Sequence, residues 1–101
     1  MQTVMAFSWK YAHVDDDTLV ADYSCVLHSI VINHADSAVT TATVYDGEDN
    51  TGDVVAVIDL DIGKDYHVLP VTLLYDIRLS SGCYVEFSNA PATADLTVSY
   101  Y

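Results

Sequence analysis

The segment YDGEDNTGDVV, Tyr45 to Val55, gathers Asp46, Glu48, Asp49 and Asp53 around Gly47 and Gly52. Oxygen-rich loops of this kind suit calcium, a hard cation that takes about six to eight oxygen ligands. An EF-hand loop needs glycine at its sixth position and glutamate at its twelfth. Counted from Asp46, those positions hold Thr51 and Val57, so the EF-hand spacing fails. A looser calcium site at a sandwich edge, with Asp15, Asp16 or Asp17 contributing, is the weaker reading of the four acids. The stronger reading is a hairpin loop whose glycines supply positive φ angles and whose acids are solvated. No metal and no other cofactor is expected.

Asp59, Asp61 and Asp65 in DLDIGKD form a second acidic group. Paired carboxylates serve as acid and base in glycosidases, but they need a cleft that tunes them apart. A solvated strand face is the plainer expectation. His13, His28, His34 and His67 fall in four different segments, and no two stand at the i, i+2 spacing of metal ligands on a strand. There is no Gly-x-Ser-x-Gly elbow and no glycine-rich phosphate loop. Cys25 and Cys83 match no zinc pattern and lack the cationic setting that activates a thiolate. With no basic head followed by an apolar run in MQTVMAFSWKYAHVDDD, no export signal is expected. The cysteines then read as two buried free thiols rather than a disulfide. The chain is expected not to be an enzyme.

Aromatic residues are the remaining candidates for function. Phe7, Trp9 and Tyr11 alternate, which puts all three on one side of a strand. They either pack a core or form a protein contact surface, where tryptophan and tyrosine carry much of the binding energy. A carbohydrate platform would use exposed aromatics as well. Tyr84 and Tyr101, at outward positions of the last two strands, are read together as an exposed ladder. The expected contact residues are therefore Phe7, Trp9, Tyr11, Tyr84 and Tyr101.

The elements that must carry these residues have a period of two. Val26, His28, Ile30 and Ile32 share a face in VLHSIVIN. Val39, Thr41, Thr43 and Tyr45 share one in the next run, and Val54, Ala56, Ile58 and Leu60 in the one after. Cys83, Val85 and Phe87, then Leu96, Val98 and Tyr100, repeat the pattern. Such alternation marks antiparallel sheets with one wet face. Turn residues separate the runs. The strands predicted are Val4–Ala12, Leu19–Asn33 with a bend midway, Ala38–Asp46, Asp53–Asp61, Tyr66–Val71, Leu74–Leu79, Cys83–Asn89 and Ala94–Tyr101. Pro70 marks an edge strand, a bulge or a strand end. The expected fold is all-β: one domain, residues 1–101, forming an antiparallel β-sandwich of about eight strands, jelly-roll-like, with 1–12 a docking strand. An immunoglobulin-like sandwich is the alternative. Trp9 counts against it, because in immunoglobulin domains the tryptophan lies between the cysteines.

Composition fits that fold and narrows the function. The chain has 101 residues, of which 51% are hydrophobic, and eight tyrosines favour strands. Fifteen acids against three Lys and Arg give a net charge of −12. Three cations cannot form the patch that nucleic-acid phosphates or an anionic membrane surface require. Neither is an expected partner. The acidity serves solubility, and a sharper reading is a halophilic surface, whose self-repulsion molar salt screens.

The order SIVINHADSAVTTATVYDG, TGDVVAVIDL, HVLPVTLLYDIRLSSGCYVEFSNAPATADLTVSYY resembles small structural proteins of tailed viruses of bacteria and archaea. The likeness runs from Val26 to Tyr101, and Gly47, Gly52 and Gly82 are its firmest marks. It implies a β-sandwich decoration or cement subunit that binds and stabilises the viral shell by protein–protein contacts. The implied localisation is the virion. The implied partners are the major capsid protein or other virion proteins, with a homo-oligomer, a trimer, as the assembly. The alternative is a carbohydrate- or receptor-binding module of a tail or fibre. The stretch Val4 to Tyr11 lies outside the likeness, and its aromatics are expected to dock on the shell.

Overall fold

A computed structural model describes residues 9–35, 41–60, 70–88 and 94–101. Eight strands follow in chain order: β1 Lys10–Val14, β2 Thr18–Ala21, β3 Cys25–Ala35, β4 Thr41–Asp46, β5 Asp53–Asp59, β6 Val71–Leu79, β7 Cys83–Phe87 and β8 Ala94–Tyr100. No α-helix occurs among the described residues. The strands form two four-stranded antiparallel sheets packed as a sandwich, with orders β1-β8-β3-β6 and β2-β7-β4-β5.

The pairing has a simple origin. β4 and β5 form a hairpin across the Asp46–Asp53 turn, and β3:β6, β2:β7 and β1:β8 pair outward from it. The chain is thus one long antiparallel ribbon folded at its middle. Rolling the ribbon adds the pairs β3:β8 and β4:β7 and divides it into two sheets. That is jelly-roll topology. An immunoglobulin sandwich orders its strands differently, and Cys25 and Cys83 are free and buried rather than bridged.

Two strand expectations change. Leu19–Asn33 is not one bent strand: β2 lies in one sheet and β3 in the other, and exposed Asp22–Ser24 carry the crossing. Leu74–Leu79 is the end of a longer strand, β6, whose first residue follows Pro70. Proline suits that position because it is not asked for a ladder N–H. The expected Val4–Ser8, Tyr66–Leu69, Ala38–Thr40 and Asp61 portions lie outside the described residues.

The core fills the space between the inner faces. Leu27, Ile30, Ile32, Leu96 and Val98 come from one sheet, and Ala42, Val44, Ile58, Val85 and Phe87 from the other. Each fully buried large aliphatic contributes about 1.5–3 kcal/mol relative to exposure. Among the described residues the register shifts at four places, and two of these explain where strict alternation misplaces a core residue. In β3 the register shifts between Leu27 and Ser29, so the buried set is Cys25 and Leu27, then Ile30 and Ile32. His28 and Val26 therefore leave the core face that strict alternation gives them. In the β4:β5 pair the register shifts at Val44/Tyr45, so Val54 is 58% exposed and Val55 packs against the core instead.

Candidate interaction surfaces

The turn Asp46–Asp53 sits at the end of the sandwich that also holds the β2–β3 and β6–β7 connections. Asp46 is committed there. Its Oδ2 accepts from the Ser80 N–H at 3.0 Å and the Ser80 hydroxyl at 3.2 Å, and its Oδ1 from the Ser81 N–H at 2.8 Å. These bonds, the Ser81 amide foremost, hold its carboxyl below the usual range although partial burial opposes them. Asp49 closes its own turn: Oδ1 accepts from the Thr51 hydroxyl at 2.5 Å and the Thr51 N–H at 2.9 Å, which lowers its pKa too. Glu48 and Asp53 are exposed. Asp17 belongs to the other end, where its Oδ1 accepts from the Phe87 N–H at 2.8 Å. Asp15, Asp16 and Asp17 thus do not join the four loop acids. Among the described residues, no group of three or more His, Cys, Asp or Glu could hold a metal ion.

The turn glycines act by close approach, not by φ. Gly47 and Gly52 lack the positive φ expected of them. A Cβ on Gly52 would stand 2.5 Å from the Asp46 carbonyl oxygen, and one on Gly47 would stand 3.1 Å from Gly52 Cα. Gly82 alone of the described glycines has positive φ, at 150°.

The outer face of the β1-β8-β3-β6 sheet collects three of the expected contact residues. Trp9 is 42% exposed, Tyr11 75% and Tyr101 49%. Trp9 stacks on His28, ring centroids 4.1 Å apart and planes 14° from parallel, and meets Tyr101 edge-on at 5.9 Å. His28 is at the β3 bulge and bonds through Nδ1 to Asp76 Oδ1. Asp76 has φ 51°, the left-handed region that non-glycine residues seldom occupy, and the histidine bond restrains it there. Further along the face, Asp95 Oδ1 bonds His13 Nε2 at 2.8 Å and accepts from Asn33 Nδ2 at 3.0 Å. Burial raises the Asp95 pKa, but the bonds from Asn33 and His13 outweigh it and the net shift is downward. Ser29 and Ser99 bond each other at 2.6 Å. The face is thus aromatic and hydroxylic, and both carboxylates, Asp76 and Asp95, are paired with histidine. Phe7 lies outside the described residues.

Tyr84 is elsewhere. It projects from the outer face of the opposite sheet, so Tyr84 and Tyr101 do not form one ladder. The alternation correctly points both outward; what it cannot show is that β7 and β8 belong to different sheets. In register across the second sheet stand Leu19, Tyr84, Tyr45 and Val54. The Tyr45 and Tyr84 rings are 6.1 Å apart, tilted by 38°. Glu86, one outward position along β7, accepts from Asn50 Nδ2 at 3.2 Å and lies 3.5 Å from the Tyr45 hydroxyl. Partial desolvation and the Glu86 charge raise the Tyr45 pKa, so its phenol stays protonated near neutrality. Sequence reasoning missed Tyr45, Asn50 and Glu86 as a group. Alternation separates Tyr45 and Glu86 from their strand neighbours, but Asn50 lies in the turn, and only the β4:β7 register brings the three together.

The thiols are buried, and burial pushes Cys83 up to about 12, a poor setting for a nucleophile. Asp59 is exposed on β5, whereas Asp61, Asp65 and His67 lie outside the described residues. No protein-family model, no curated protein and no solved structure matches this chain.

Proposed function

We propose that this chain is a virion structural protein, a decoration or cement subunit that binds a viral shell through the outer face of the β1-β8-β3-β6 sheet. The observation that supports it is the contrast between that face and the rest of the molecule. In a chain of net charge −12, Trp9, Tyr11 and Tyr101 stand exposed on a face whose described carboxylates, Asp76 and Asp95, are each hydrogen-bonded to a histidine. Exposed aromatic anchors inside a polar, hydrogen-bonded surround are what protein interfaces use. The remaining acids keep free subunits apart before assembly.

On this reading the partner is the major capsid protein or another virion protein, and the working unit is a homotrimer. Three linked copies convert modest contacts into firm attachment by multivalency. Light scattering on the purified protein tests the trimer: a mass near 33 kDa, three times the 11.1 kDa chain, is expected, and a monomer removes that part of the proposal. Tyr11→Ala removes the most exposed aromatic and is expected to weaken particle binding about tenfold or more. Trp9→Ala should do the same with the sandwich still folded. Cosedimentation with particles reads both; an unfolded Trp9→Ala variant would mark Trp9 as structural instead.

A further inference from the structure

We infer that the free edge of β1 is a contact between two copies of this chain, paired antiparallel about Ala12 so that two β1-β8-β3-β6 sheets join into one. The contact is two-fold, so it is separate from any that closes a trimer, and it does not depend on shell binding. An edge strand offers a row of backbone N–H and C=O groups that only another strand can take up in register. Among the described residues the edges are β1 and β6 in one sheet, β2 and β5 in the other. Three of the four carry an extra residue that interrupts the row. Val20 is the extra residue of β2 against β7, and Val55 that of β5 against β4. In β6, Tyr75 and Asp76 together stand opposite His28 alone. Such bulges turn an edge away from a second strand. The same three edges hold acids: Asp17 and Asp22 bracket β2, Asp53 and Asp59 end β5, and Asp76 lies within β6. β1 has neither device. Its pairing with β8 runs unbroken from Lys10 to Val14, and KYAHV contains no acid.

Charge selects the occupant. β1 begins at Lys10, one of three Lys and Arg in the chain, and is followed by Asp15, Asp16 and Asp17. The edge is therefore positive at one end and negative at the other. A second copy laid antiparallel reverses that order and matches it. With Ala12 on the two-fold axis, Lys10 stands opposite Val14 of the second copy and diagonal to its Asp16, within reach of a long side chain. Lys10 has donors to spare, since its one described bond, to the Tyr23 hydroxyl, is long at 3.3 Å. Tyr11 and His13 share the outer face and oppose each other twice across the axis. Tyr11 is 75% exposed, and His13 is already held by Asp95 at 2.8 Å. The two acidic turns end up about 27 Å apart at 3.4 Å per residue, well beyond the Debye length of about 8 Å at physiological salt. β5 fails the same exercise, because pairing it with itself over its full length sets Asp53 opposite Asp59. A two-fold axis normal to the sheet leaves both outer faces on one side, so the pair presents Trp9, Tyr11 and Tyr101 twice.

A five-residue pairing is small beside interfaces of about 1,200 Å² and more, so it forms at high concentration and leaves the mass in dilute solution unchanged. The test follows amide chemical shifts of the whole chain on dilution from about 1 mM to about 10 μM, without particles. Expected are concentration-dependent shifts centred on Lys10 to Val14, with β2, β5 and β6 unmoved. Lys10→Glu should weaken association about tenfold. Adding Asp16→Lys to it exchanges the two charges and should restore most of the loss, which a merely structural role for Lys10 would not allow. Lys10→Gln replaces Lys10→Glu if that variant does not fold, and should weaken association severalfold. Shifts that ignore concentration overturn the proposal, and so do shifts centred on β5 or β6 or an exchange that restores nothing. Shifts in β1 that arise only when particles are added overturn it too, and assign the edge to a strand of the shell. Failure to bind particles, or a monomer in dilute light scattering, leaves this result unaffected, so the readings fail separately.

Discussion

At the residue scale, Asp46 and Gly82 do the most for the fold per atom. Asp46 ties the central hairpin to the β6–β7 turn through three hydrogen bonds. Its folded pKa is depressed, so the stability it contributes is fully present above its unfolded pKa. It is lost as pH falls through the unfolded value toward the folded one. Asp46→Asn should therefore lower the urea midpoint at neutral pH and flatten the acid limb below about pH 4. An unchanged acid limb would show that the carboxylate is not the linked group. Gly82 has φ 150°, and a Cβ there would lie 2.7 Å from the Ala21 carbonyl oxygen and 2.8 Å from that of Gly47. Gly82→Ala is expected to cost about 1–3 kcal/mol from backbone conformation alone, and more from the contact. Thermal melting measures it; a shift within error would mean that the three connections can part freely.

Elements show where sequence pattern is legible and where it stops. Cys83, Val85 and Phe87, and then Leu96 and Val98, are all buried as alternation demands, because β7 and β8 are regular through those positions. The β3 and β5 faces were misread for one physical reason. A bulge inserts a residue and reverses inward and outward beyond it, and nothing in VLHSIVIN or GDVVAVIDLD marks the place. The site was legible in the same partial way. Tyr84 and Tyr101 were legible as outward aromatics, and Trp9 and Tyr11 only as sharing one side of a strand; the sheet each belongs to depends on pairing between strands far apart in sequence. Ile58 and Val54 give the sharpest check on the bulge. Ile58→Ala should cost about 2–5 kcal/mol, and Val54→Ala within about 0.5 kcal/mol. Equal costs from denaturant titration would restore the uninterrupted alternation.

For the whole molecule, the two sheets face outward with different chemistry. One presents Trp9, Tyr11 and Tyr101 beside histidine–aspartate pairs, and the other a tyrosine row with Glu86. On the proposed function that division is useful, since one face can attach while the other stays in solvent. The charge has a thermodynamic consequence as well. With −12 net charge and three Lys and Arg, repulsion among acids opposes the compact state, and salt screens it within a Debye length of about 3 Å at 1 M. If the surface is halophilic, the melting temperature climbs steadily toward molar sodium chloride. A flat curve between about 0.1 and 1 M would assign the acidity to solubility alone.

The central claim is that the protein works as a passive building block through the Trp9–Tyr11–Tyr101 face. Its most direct test is amide hydrogen exchange on the protein free and mixed with purified virus particles. Protection on binding should concentrate in β1 and β8, around Tyr11 and Ser99, with the Tyr45–Tyr84 row exchanging as in the free protein. Protection confined to β4 and β7, or no stable association with particles at all, would contradict the account.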